Sequence, residues 1–389
     1  MIRKILVGIA ILVLLFIAGG VFLYLKLQPS IRAAKAQVEE ELKILKPRLI
    51  KGKGSFERRI FYTGEGLGTI SQISVGWPAN LEGADIAVVG THGADFIESA
   101  GKNKKKTRFS IEQFCPVAVA RMSPNGEYGY LTRDESWAVP ATFFDKEGRV
   151  RWHSDGTWPG VDDSVPGDVL GHGELSVVIG LNGGGGLVLL DSQGHKLWRK
   201  EESNVWHVEM LDINGDGREE ILHSNARGQL LVRDANGEVV GQYLPDSYVS
   251  GFALTRWGEE VKPTHILVPT TAKRDGCCKS LFLILDAKGK TVAERESPFG
   301  DLLKNTAATP VHFRKGTEYF AVLQSNFAIG RSTLLLFDND GQILYQEILG
   351  ESCIGIATLS KKDSERLLVG CDAKILEYFP TSQIDSGLK

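Results

Sequence analysis

Leu189–Glu201 reads LLDSQGHKLWRKE. Two apolar residues lead into an acid, two variable residues and a Gly, and then into a run that suits a strand. Asp folds its side chain back onto a turn and Gly takes positive φ without steric cost. Asp-x-x-Gly between two strand-like runs therefore marks a β-hairpin. The same unit recurs as FIESAGKNKKKTRF from Phe96, FFDKEGRVRWHSD from Phe143 and LVRDANGEVVGQY from Leu231. It returns as ILDAKGKTVAERE from Ile284 and LFDNDGQILYQEI from Leu336. The acidic markers Glu98, Asp145, Asp191, Asp234, Asp286 and Asp338 are spaced between 43 and 52 residues apart, the length of one propeller blade.

Two further strand-like runs precede each hairpin. In the clearest unit they are Val205–Ile213 (VWHVEMLDI) and Glu219–Asn225 (EEILHSN). Four short strands per period define the blade of a β-propeller. The chain ends with three more runs, Cys353–Leu359, Arg366–Gly370 and Lys374–Phe379. Phe56–Tyr62 (FERRIFY) is the strand available to complete that last sheet and remove its exposed edge. The expectation is an all-β, seven-bladed β-propeller over residues 55–389, with six blades the alternative. No helical periodicity appears beyond Lys46, which argues against an α/β fold.

Ahead of the propeller, Ile5–Leu25 is almost wholly apolar, between Arg3-Lys4 and Lys26. About twenty such residues cross a hydrocarbon core. Ala18-Gly19-Gly20 offers the alternative of a cleaved signal peptide, but Val21–Leu25 prolongs the apolar run and favours an uncleaved signal anchor. Residues 1–26 are thus expected as a transmembrane helix and 27–54 as a helical stalk and linker, with Ile31–Lys46 its amphipathic part. The bulk of the chain is placed outside the cytoplasm. The sequence lacks any Asn-x-Ser/Thr acceptor, which favours a bacterial inner membrane and periplasm. Five cysteines form neither a disulfide framework nor a zinc motif; Cys353 and Cys371 can pair if their strands are adjacent.

Asp212–Ile221 reads DINGDGREEI and falls between the first and second strands of the fourth blade. Asp212, Asn214 and Asp216 occupy alternate positions, Gly217 permits the turn, Arg218 offers its carbonyl and Glu220 closes the set. A hard cation wanting six to eight oxygens is served by such a loop, so one structural calcium (Ca2+) site is expected. Asp168–Ser176 (DVLGHGELS) aligns with it in the third blade, but Leu170, His172 and Ser176 replace the ligands. The D-x-N-x-D-G-x-x-E loop between strands resembles the FG-GAP (VCBS-type) repeat of calcium-bearing propellers, including the integrin α-chain head. The hairpins also look like the blades of quinoprotein-type (PQQ-like) propellers. This resemblance implies a calcium loop on the face opposite the usual binding surface.

Propellers bind at the loops between second and third strands. Those at 132–140, 270–279 and 324–331 are long and mix charge with aromatic or small residues. Arg133, Asp134, Trp137, Arg274, Asp275, Asn326 and Arg331 are the candidate ligand-face residues. The formal net charge is −3, and Lys102–Arg108 is the one basic cluster, which gives no nucleic-acid field. Eight histidines are scattered outside any catalytic motif. The expected function is a membrane-anchored scaffold binding a protein or glycan partner. The alternative is a propeller enzyme, a carbohydrate-active lyase or a sulfotransferase-like protein, working at the channel mouth. A quinone-cofactor dehydrogenase is disfavoured, because that resemblance is confined to hairpins that shape the blades; the tryptophans at 152, 198 and 206 suit packing between blades.

Overall fold

A computed structural model describes residues 24–36, 39–40, 48–49, 56–76, 85–97, 106–109, 117–133, 140–154, 160–255, 265–274, 277–296, 305–314, 317–326, 330–338, 341–361 and 364–380. Its strands form seven antiparallel sheets arranged as the blades of a propeller. Strands are counted here from the central channel outward. Blade 3 is typical, with Val161–Gly167, Ser176–Leu181, Gly186–Leu190 and Lys196–Lys200 in that order. Its two middle strands are buried along nearly their whole length, because a neighbouring blade covers each face. The outer strand is half-buried to exposed. Seven separate apolar clusters result, and each joins two consecutive blades. The cluster of Leu67, Ile70 and Val88 with Leu359, Leu368 and Ile375 lies between blade 7 and blade 1, so the ring is continuous.

The closing strand is the one expected. Phe56–Thr63 pairs antiparallel with Lys374–Pro380, from Phe56 opposite Pro380 to Thr63 opposite Lys374. Arg58 reaches Glu347 in blade 6 at 2.5 Å and Arg59 reaches Glu377 in blade 7 at 2.7 Å. Both carboxylates are buried. Arg48–Leu49 adds a fifth strand to the outer edge of blade 6, a pairing too short to register as a strand in the sequence. Residues 24–36 are helical, within the region expected as anchor and stalk. Most of the expected transmembrane segment lies in residues 1–23, outside the described residues. No described helix is long and apolar enough to cross a membrane.

The repeated hairpin turn also joins the blades. In each of five turns the marker carboxylate accepts a backbone N–H four residues on, as Asp191 does from His195 at 2.8 Å and Asp234 from Glu238 at 2.9 Å. A side chain from the outer strand of the preceding blade then docks onto the turn. Trp152 Nε1 donates to the Ser192 carbonyl at 3.1 Å, Trp198 Nε1 to Ala235 at 2.8 Å, and Tyr243 Oη to Ala287 at 2.5 Å. In the next interface Arg295 donates to the Gly341 carbonyl. The turn glycine is required twice over at Gly289: its φ is +81°, and a Cβ there would lie 2.2 Å from the Tyr243 ring. The two tryptophans at 152 and 198 are thus packing residues between blades. A disulfide joins Cys353 and Cys371, which face each other across adjacent strands of blade 7.

Candidate functional site

Antiparallel order puts all loops between second and third strands at one end of the ring, together with the connections from one blade to the next. The opposite end carries the Asp-x-x-Gly turns and the DINGDG loop.

At the loop end the structure corrects two of the three long loops; residues 134–139 of the third lie outside the described residues. Thr270–Lys279 is mostly strand, with Thr271 opposite Ser280, Lys273 opposite Cys278 and Arg274 opposite Cys277. The central hairpin of blade 5 therefore has ten-residue strands, His265–Arg274 and Cys277–Asp286, where blade 3 has strands of six and five. Four extra residue pairs carry it about 13 Å further than the blade 3 hairpin at 3.3 Å per residue. Polar residues paired across a two-stranded ribbon have no apolar alternation, which is why the sequence reads as a loop. Gln324–Asn326 and Arg331–Thr333 are likewise paired strand. Arg331 is only 3% exposed, so it belongs to the interior of blade 6 and not to a displayed surface. Arg133, Arg274 and Asn326 sit at strand ends on this face. Asp134, Trp137 and Asp275 lie outside the described residues.

At the opposite end the DINGDG loop is an ordered acidic turn. Asp212 accepts the amides of Gly215 and Gly217 at 2.7 and 3.0 Å, and Asp216 accepts that of Arg218 at 2.8 Å. Glu220 accepts the Ile213 amide at 2.8 Å. The Asn214 carboxamide nitrogen lies between the two remaining carboxylate oxygens, 3.2 Å from Asp216 and 3.0 Å from Glu220. Burial, reinforced by the charges of Asp216 and Asp212, raises the Glu220 carboxyl above its ordinary range despite the Ile213 bond. Among the described residues no three His, Cys, Asp or Glu side chains are placed to hold a metal ion as they stand. The blade 3 loop has the same backbone: Gly171 and Gly173 take φ of 70° and 78°, Gly215 and Gly217 take 78° and 87°. Asp168 accepts the amides of His172 and Gly173. The two loops touch, with the Asp168 amide donating to Glu219 at 2.7 Å.

The channel itself holds a group that the sequence reading passed over. His207, on the first strand of blade 4, has Nδ1 2.7 Å from Asp163 of blade 3 and Nε2 3.4 Å from Glu209. Burial opposes its charge, but the bonds to Asp163 and Glu209 outweigh it and push the imidazole up to about 10. Asp163 also accepts the Val208 amide at 2.9 Å. Behind it, buried between blades 3 and 4, Arg233 donates to Glu202 at 2.8 Å and to His223 Nε2 at 3.0 Å. Burial and the Arg233 charge push His223 down to about 4. The closest partner of His207, Asp163, comes from the neighbouring repeat, so nothing in the local sequence marks the pair.

The architecture defines a seven-bladed β-propeller. No protein-family model matches the chain, and no curated protein is similar to it in sequence. Among solved structures, BBS1N in complex with ARL6DN, in a mercury-soaked crystal, is similar with a TM-score of 0.56. The identity is 11%, over 87% of this chain and 99% of that one. The lead-soaked crystal gives 0.55 at 12% identity, over 85% and 96%. BamB from Moraxella catarrhalis gives 0.48 at 13%, over 86% and 97%. Identities this low describe the fold and leave the function to be argued from the surface.

Proposed function

We propose that this chain is a membrane-anchored, extracytoplasmic scaffold that binds a protein partner on the loop end of the propeller. The observation that carries this reading is the long hairpin of blade 5, whose paired strands offer main-chain edges and whose sequence there includes Lys273, Arg274 and Lys279. BBS1N, a chain of the same fold, was crystallised with a protein partner. The extracytoplasmic placement is supported by the Cys353–Cys371 disulfide, since such bonds persist in oxidising compartments. Anchoring rests on the apolar run Ile5–Leu25. Replacing Thr271–Ser280 by a two-residue turn should abolish capture of a crosslinked partner from solubilised envelope while leaving the melting temperature unchanged. Capture at the wild-type level by the trimmed protein would overturn the reading.

The same proposal includes one calcium ion in the DINGDG loop. Asp212, Asn214, Asp216 and Glu220 with the Arg218 carbonyl supply the oxygen donors such an ion needs. The crowded carboxylates and the raised Glu220 fit it, because a cation relieves the repulsion that now bears on that group. Bound there, calcium would add charge neutralisation, and the loop would stiffen against blade 3 through Glu219 and Asp168. At a free concentration one hundred times the dissociation constant, the gain is about 2.7 kcal/mol. Melting temperature should fall with chelator and recover with calcium, and Asp216→Ala should remove the response. An identical melt with and without chelator sinks the calcium site.

A further inference from the structure

The first strands of four blades begin with the same irregularity at the loop end of the channel. Register shifts occur between Ile70 and Gln72, Val161 and Asp163, Val205 and His207, and Cys353 and Gly355. A bulge turns its extra residue out of the ladder and re-aims its side chain. The extra residues are Ser71, Asp162, Trp206 and Ile354, set at one level around the channel mouth. They differ in chemistry, and on the side of blades 3 and 4 they meet other groups.

Asp162 accepts from both flanking carboxamides, Asn182 Nδ2 at 3.1 Å and Asn204 Nδ2 at 2.9 Å. Asn204 Oδ1 in turn accepts the Gly183 amide. Gly183 and Gly184 are exposed, and nothing lies within 4 Å of where their Cβ atoms would be. Bare backbone thus stands open beside a hydrogen-bonded array of carboxylate and amides. On the other side the Trp206 ring is 6.1 Å from the Tyr248 ring. Tyr248 is 62% exposed, yet it is fixed, because it seats on Gly228, where a Cβ would lie 2.2 Å from its ring. The connection that carries it starts at Leu244 with φ of 51°, a left-handed conformation that a branched side chain resists. Backbone strain of this kind collects at ligand clamps.

We infer that the channel mouth over blades 3 and 4 is a saccharide-binding site, built from Asp162, Asn182, Asn204, Trp206 and Tyr248 around the bare backbone of Gly183–Gly184. A pyranose presents an apolar C–H face to an aromatic ring and vicinal hydroxyls at its edge. Carboxylate and carboxamide groups serve both donor and acceptor roles of those hydroxyls. Aromatic walls with a few fixed polar groups are the general form of a small-ligand site. The site does not depend on the protein partner proposed above.

The test uses the full-length chain in a detergent without a sugar headgroup, titrated calorimetrically with maltotriose, cellotriose and chitotriose. At least one should bind saturably. Gly184→Val fills the open space at no cost to packing, so it should weaken that binding at least tenfold with an unchanged melting temperature. Asn204→Ala and Trp206→Leu should do the same. Binding of none of the three sugars, or Gly184→Val binding within twofold of wild type, overturns the inference. Saturable binding of trilysine lost in the same variants would assign the site to a cationic side chain instead and equally overturn it. The protein with its blade 5 hairpin trimmed should keep its saccharide affinity, which separates this site from the partner surface.

Discussion

His207 and His223 lie on adjacent strands of blade 4, opposite one another only through Val208. They nevertheless titrate in opposite directions. His223 has a folded value of about 4 against 6.5 when unfolded, so the unfolded chain binds the extra proton between those values. Stability is therefore full above about pH 6.5 and declines as pH falls towards 4, by ~3 kcal/mol in all. His207, raised to about 10, works the other way. Its contribution is complete below pH 6.5 and is lost as pH climbs through 10. Melting temperature should peak near pH 6.5. His223→Gln should flatten the acid limb and His207→Gln the alkaline one. Limbs that keep their wild-type slopes in these variants would remove both assignments. Neither role is legible locally, because Asp163 is 44 residues from His207, and His223 is set by its burial beside Arg233, which only the fold provides. The DINGDG spacing, by contrast, could be read directly, since all its donors lie within one turn.

At the level of the element, the hairpin turn explains what was readable and what was not. Asp-x-x-Gly is fixed by backbone chemistry within four residues, so the sheets and their count followed from it. The docking of Trp152, Trp198 and Tyr243 onto the next turn is a contact between repeats, visible in the sequence only as aromatics on outer strands. Trp198→Phe keeps the ring but removes the donor to Ala235, and should cost about 1 kcal/mol. Trp198→Ala also opens a cavity and should cost roughly 3–5 kcal/mol. Denaturant melts of the two variants compare these directly, and equal losses would show that the hydrogen bond matters and the ring does not. The disulfide of blade 7 closes a loop with a sequence separation of 18. Cys371→Ser should cost about 3 kcal/mol on loop-entropy grounds. The blade 5 hairpin was misread for the opposite reason. Its extra residue pairs extend beyond the core, so no apolar alternation marks them as strand.

For the whole molecule, stability depends on whether the ring is closed. Five of the blades are continuous in sequence; blade 6 adds Arg48–Leu49 at its outer edge, and blade 7 takes its fourth strand from the other end of the described chain. Phe56 packs with Phe313 and Tyr345 of blade 6, so the strand also covers the interface between blades 6 and 7. Arg58 and Arg59 serve the two sides separately, one on Glu347 and one on Glu377. The arginines are half or more exposed and gain little from the pairs, whereas Glu347 and Glu377 are buried and lose their compensation if the strand leaves. Two tyrosines, Tyr345 and Tyr378, also donate to Glu347 and are held well above their ordinary range by burial and by that charge. Removing residues 1–63 should therefore expose an open sheet edge beside two buried carboxylates, and give a chain that self-associates and melts well below the full-length protein. A peptide of sequence FERRIFYT, supplied in trans, should restore the monomer and part of the lost melting temperature. The same peptide with both arginines changed to glutamate should not, because it would set four carboxylates together. A truncated chain that stays monomeric and melts with the full-length protein, with no peptide added, would show that the ring does not depend on this strand.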